Sequence, residues 1–166
     1  MRSSSRGGAL MTALVSQLFP LMAAASLGLL AGALLAEDRL LVPYWRTLSA
    51  ETFYALHPTF GPMLYRFFAP LTMAAPLTAA LAMVQVTLQS GGLTPRSLAA
   101  IATAVLTSSL VAIYFLYFKS ANEALLQRAV SATDLPTTLA RWAAWHRARV
   151  FIVVAAFGLS LVTLVA

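Results

Sequence analysis

The chain has 166 residues, 60% of them hydrophobic and 10% charged, with a mean hydropathy of +0.82 and a net charge of +6. A soluble domain carries about 25% charged residues, so the polar surface here is too small for water and implies an integral membrane protein. The absence of cysteine excludes disulfide frameworks, thiolate zinc sites, iron–sulfur ligation and cysteine nucleophiles. No Gly-rich phosphate loop occurs. The basic residues lie between apolar stretches, where topology and lipid headgroups account for them; no nucleic acid is expected as a partner.

Four stretches approach or exceed the roughly 20 apolar residues that a spanning helix needs. They predict an all-α, single-domain, four-helix membrane bundle with helices over about 9–36, 60–89, 97–122 and 142–166. Arg2 and Arg6 before the first helix suggest a signal peptide. Its apolar run, however, outlasts the about 7–15 residues of a cleavable segment, and Leu34 stands where a small residue is needed before a cut at Glu37. An uncleaved first helix is expected.

Small residues recur every fourth position in the first helix (Ala24, Gly28, Gly32, Ala36) and in the third (Ala100, Ala104, Ser108, Ala112). Such ridges let helices approach closely in lipid, and intramolecular packing is expected rather than homodimerisation through Gly28 and Gly32. Pro62, Pro70 and Pro76 in the second helix permit bends that open space between helices. Gly91, Gly92 and Pro95 mark a short turn before the third helix, with Thr94-Pro95 suited to a helix start. The fourth helix reaches spanning length only if Arg147 and Arg149 snorkel to the interface.

Segments 37–59 and 119–149 are read as long, aromatic-rich loops on one side of the bundle. That side holds all five acids, both histidines, all three tryptophans and every cation except Arg2, Arg6 and Arg96. The positive-inside rule makes it cytoplasmic, in a bacterial inner membrane. Every group able to do proton chemistry gathers at this one face.

Three constellations stand out there. Trp142, Trp145, His146 and Arg149 share a helical face. An interfacial belt suits Trp142 and Arg147; for His146 and Arg149 a site is the equal reading, because an ionisable group near the bilayer core is a functional hypothesis by default. His57, the other imidazole, opens the second helix, and Glu51 is the acid nearest it in sequence, available to orient the ring. Tyr114, Phe118, Asn122 and Leu125 fall along one face of the third helix, where Asn122 offers a donor and an acceptor. Haem ligation by His57 and His146 is an alternative. No His-x-x-x-His or Glu-x-x-His spacing supports a metal, and none is expected.

The Gly-rich first helix, the aromatic first loop and the aromatic third helix running into Asn122-x-x-Leu125 carry a family likeness, completed by Trp142-x-x-x-His146-x-x-Arg149. Across nearly its whole length the chain resembles the anthrone-oxygenase-like family of small four-helix membrane proteins. The resemblance implies oxidation of an anthrone-type aromatic to a quinone with dioxygen and without a cofactor. His146 or His57 would then be the base, Asn122 and Arg149 would stabilise an oxyanion, and Trp145 would stack on the rings. Tyr114 and Glu51 are the further candidate ligand contacts. A non-catalytic subunit of a larger membrane complex and a haem- or quinone-associated electron carrier are the alternatives from other classes.

Overall fold

The computed structural model describes the backbone of residues 2–166 and the side chains of residues 15–166. The calls on Arg2 and Arg6, and the side chains at the start of the first helix, lie outside the described side chains. The elements are α1 (Arg2–Ala36), a π-helical turn (Glu37–Leu41), α2 (Val42–Trp45), α3 (Ala50–Ser90), α4 (Pro95–Ile113), a second π-helical turn (Tyr114–Phe118), α5 (Lys119–Leu126) and α6 (Leu135–Val165). Across each π turn the helix continues, so four long rods result. Each is long and apolar enough to cross a membrane: Val15–Trp45, Ala50–Ser90, Pro95–Leu126 and Leu135–Val165. The protein is an all-α, integral membrane four-helix bundle. α1 packs on α3 and α6, and α4 packs on the same two, which closes the ring.

The outer surface matches a lipid solvent. Leu29, Leu88 and Leu116 are 66%, 79% and 80% exposed. A soluble fold would leave contiguous apolar surface of this kind only at an interface.

The rods are longer than hydropathy marks them, and the expected long loops are mostly helix. Only residues 46–49 and 127–134 leave helical geometry on that side. Three local causes extend the helices. Ser49 caps α3, its hydroxyl accepting from the Thr52 amide at 3.2 Å, with Glu51 in the favourable first turn. Leu135, Leu139, Trp142, Ala143 and His146 form a buried stripe at helical spacing, so α6 begins well before residue 142. Leu40, Leu41 and Val42 follow the acids Glu37 and Asp38, so the first rod does not stop at Ala36. The short turn is as expected: Thr94 caps α4 in a reciprocal capping box with Ser97, and Pro95 takes the first helical position.

The two small-residue ridges meet their neighbours only in part. Ala24 is buried, and a Cβ on Gly28 would lie 3.1 Å from the Phe157 ring of α6. Gly32 and Ala36, however, are exposed. A strict four-residue repeat advances about 40° beyond a full turn at each step, so the ridge walks off the packed face. The buried side is instead Ala23, Leu27, Leu30, Ala31 and Leu34. In α4 the same drift leaves Ser108 and Ala112 exposed, while Ala100, Thr103, Ala104, Thr107 and Leu110 are buried.

The two ends of the bundle differ. Near the short turn, small residues bring the helices together and polar bonds tie them. Ser26 and Thr78 share a hydroxyl hydrogen bond at 2.8 Å, and Gln85 donates to the Val15 carbonyl at 2.7 Å. Arg96 donates to the Thr163 carbonyl at 3.0 Å and to Gln17 at 3.1 Å. At the other end bulky aromatics replace alanines, and the helices enclose a cavity.

Candidate functional site

The cavity has a volume of about 530 Å³ and lies between residues 53–73 of α3 and 111–126 of the third rod, backed by α6. Its walls are chiefly aromatic and aliphatic, among them Trp45, Phe53, Tyr65, Phe68, Phe115 and Phe118. Tyr65, Met73 and Phe115 line it yet are 59%, 61% and 63% exposed. The cavity therefore opens on the apolar flank between α3 and the third rod, and also past the exposed Lys119, Asn122 and Glu123 at its polar end.

Polar groups reach it from several directions, among them Glu37 from the first π turn, His57 from α3, Arg149 from α6, and Lys119, Asn122 and Glu123 from α5. π-helical turns insert one extra residue and re-aim side chains, which is why they concentrate at functional sites. Here the first turn brings Glu37 inward, and the second carries Tyr114, Phe115 and Phe118 onto the cavity wall. Proline supplies further irregularity. Pro58 has no amide hydrogen for the Tyr54 carbonyl, and Arg128 donates to that oxygen at 2.7 Å instead. The Tyr54 hydroxyl donates to the Val130 carbonyl at 2.7 Å, so the 127–134 connection is tied to the mouth of α3.

Behind the wall stands His146, fully buried, its ring stacked on Trp142 at 5.0 Å between centroids. Its Nε2 lies 3.0 Å from the Leu34 carbonyl. A carbonyl only accepts, so Nε2 carries the hydrogen and the lone pair of the neutral ring sits on Nδ1. Nδ1 has no hydrogen-bond partner and faces Glu37 Oε2 at 3.7 Å. Asp38, next on the π turn, lies 3.7 Å from Arg39 and 3.8 Å from Arg147, both largely exposed. The acidic pair thus runs from the cavity to the aqueous edge. Arg149 is 7% exposed, with its guanidinium 4.7 Å above the Phe118 ring and its Nε without a partner. Asn122 accepts from Trp142 Nε1 at 2.8 Å, which fixes the indole in the wall.

The sequence-level candidates divide accordingly. His57, Tyr114, Asn122 and Arg149 meet at the cavity, and Tyr114, Phe118, Asn122 and Leu125 do line it along one face. His146 stands one layer back, against Glu37. Trp142, assigned to an interfacial belt, is 7% exposed and part of the cavity wall, because α6 continues past it and turns its indole inward. Trp145 is 40% exposed and stacks on Tyr117 at 5.2 Å, away from the cavity. Glu51 is exposed in the first turn of α3; His57 stacks on Phe53 instead, at 4.9 Å. His57 lines the cavity and His146 does not. Among the described residues no three His, Cys, Asp or Glu side chains group as metal ligands. Glu37 and Asp38 are the residues that sequence reasoning passed over. The available signal was Leu40-Leu41-Val42, which places the two acids within a helix rather than at its end.

Fold and site together define a class: a small helical membrane protein with a lipid-side cavity and a buried acid–imidazole–guanidinium set. The chain matches no protein-family model, no curated protein and no solved structure.

Proposed function

We propose that the chain binds a lipophilic aromatic molecule in this cavity and oxidises an anthrone-type substrate to its quinone with dioxygen, as its likeness to anthrone oxygenases implies. The observation that carries the reading is the cavity of about 530 Å³, aromatic-walled and open on the apolar flank, into which Glu37, His57 and Arg149 reach. That volume lies in the range of small-molecule sites. A substrate dissolved in the bilayer meets the opening without crossing water.

The chemistry needs one base and one oxyanion partner. An anthrone C–H is acidic because its anion is delocalised over the rings. Glu37 takes that proton, with His146 Nδ1 behind it to share it. The carbonyl oxygen becomes an enolate, and Arg149, whose Nε has no hydrogen-bond partner, stabilises it. The electron-rich anion passes an electron to dioxygen, and the radical pair combines into a peroxide, which recovers the proton from Glu37. Loss of the second C–H proton with hydroxide as leaving group yields the quinone and water. Overall, one anthrone and one dioxygen give one quinone and one water. The Lys and Arg bias supports a cytoplasmic position for this end of the bundle, in a bacterial inner membrane.

The test is quinone formation by purified protein in lipid nanodiscs supplied with an anthrone and air, followed by visible absorption. Glu37→Gln and Arg149→Met are each expected to lower the rate by about 10²-fold, the usual cost of one acid–base or oxyanion group. A rate equal to empty nanodiscs, or one unchanged in both variants, overturns the reading.

A further inference from the structure

Glu37 and Arg149, an acid and a guanidinium, line the same cavity without touching. They are 6% and 7% exposed. Yet among the described residues no carboxylate oxygen lies within 4.0 Å of the Arg149 guanidinium. Its Nε is buried without a hydrogen-bond partner. The Phe118 ring 4.7 Å away covers one face of the guanidinium, which leaves its edge to bond. The nearest nitrogen to Glu37 is also distant, His146 Nδ1 at 3.7 Å, and as the lone-pair side of a neutral ring it donates nothing. A buried charge left without a hydrogen-bonded partner is costly, so the pair leaves a place for a group that satisfies both.

The requirement selects the chemistry of that group. It must accept from a guanidinium and donate to a carboxylate. A carboxylate ligand only accepts, and it would bring like charge against Glu37. An ammonium only donates, and it would meet Arg149. An ether has no hydrogen for Glu37, and a ketone has none until it enolises, as an anthrone does. A hydroxyl satisfies both sides, and an acidic hydroxyl also passes its proton to Glu37 while its oxygen stays charged on Arg149. Aromatic walls on either side suit a hydroxyl borne on a ring.

We infer that the ligand is recognised through an acidic aromatic or enolic hydroxyl seated between Glu37 and Arg149. This deepens the reading above and rests on the cavity being an aromatic-ligand site. The probes are a hydroxyanthraquinone dye, whose visible band moves to longer wavelength on ionisation, and its methyl ether. Both are titrated into the full chain in nanodiscs, with binding read by quenching of tryptophan fluorescence, since Trp45 and Trp142 line the cavity. The dye is expected to bind at least about tenfold more tightly than the ether, which lacks the donated hydrogen. Bound dye is expected to show the ionised band at a pH where free dye is neutral. Arg149→Met should remove both the band and the preference, and Arg149→Lys should keep part of each. Glu37→Gln should bind dye that stays neutral, which preserves the test should the Arg149 variant fail to fold. Equal binding of dye and ether, or an ionised band that survives in Arg149→Met or in Glu37→Gln, overturns the inference and leaves the aromatic site standing. If neither probe quenches the wild-type chain, the reading of the cavity itself falls.

Discussion

His146 can be read atom by atom. With Nε2–H committed to the Leu34 carbonyl, the ring joins α6 to α1 as well as backing Glu37. Two roles at one residue call for a pair of substitutions. His146→Phe fills the space and keeps the stack on Trp142, but it leaves the Leu34 carbonyl buried without a donor. That is expected to cost about 1–3 kcal/mol. His146→Gln keeps a donor within reach and is expected to lose less than half of that, yet it offers Glu37 no exchangeable lone pair. Thermal unfolding in detergent checks the first expectation; equal losses in the two variants would show that the Leu34 bond carries no weight. Glu37 illustrates what residue-level reading misses. Next to Asp38 and Arg39 it looks like the charged end of a span. Only the extra residue of a π turn decides that it faces inward, and no pattern of residue types marks such a turn.

At the scale of elements, the four spans and the Thr94-Pro95 start are legible because hydropathy and capping are local properties of the chain. The true lengths of α3 and α6 are not. Charged residues such as Arg66 and Arg141 interrupt the apolar count but leave helix formation untouched, so helices run on beyond the hydrocarbon. At 41 residues α3 is about 60 Å long, twice the thickness of a bilayer core. Its prolines are tolerated because other groups take the freed carbonyls, and Pro58 offers a measurable case. Arg128→Met strands the Tyr54 carbonyl and is expected to cost about 1–2 kcal/mol. Pro58→Ala restores an amide four residues on, so in that background the loss should shrink to less than half. A double-mutant cycle on unfolding in mixed micelles measures the coupling. Strict additivity would mean that the Arg128 bond does not stand in for the missing helical one.

The whole molecule is a bundle closed at one end and hollow at the other, and this asymmetry follows from the order of residues along α3 and α4. Ala79 and Ala82 of α3 meet Ala100 and Thr103 of α4 beside α1 and α6, and Ala75, Thr78, Val86, Ala104 and Thr107 are buried along the same helices, so the helices approach closely around small side chains. Residues 53–73 and 111–126 carry the large aromatics and three of the four prolines of α3, and there the walls stand apart around the cavity. Sequence alone shows where polar groups cluster, but whether bulky side chains fill the space or frame it depends on how four rods cross. Local stability should follow the same division, since opening free energies fall where buried contacts are few. Amide exchange in nanodiscs is therefore expected to be slow in 75–86 and 97–107 and at least about tenfold faster in 53–73 and 111–126, a difference of about 1.4 kcal/mol in opening. A bound hydroxyanthraquinone adds contacts only at the hollow end. At 100 times its dissociation constant it stabilises by about 2.7 kcal/mol, and it should slow exchange in the second pair of segments while leaving the first pair unchanged. Uniform exchange before ligand, or protection that spreads equally to the closed end, would mean that the cavity is not a separately adjustable part of the bundle.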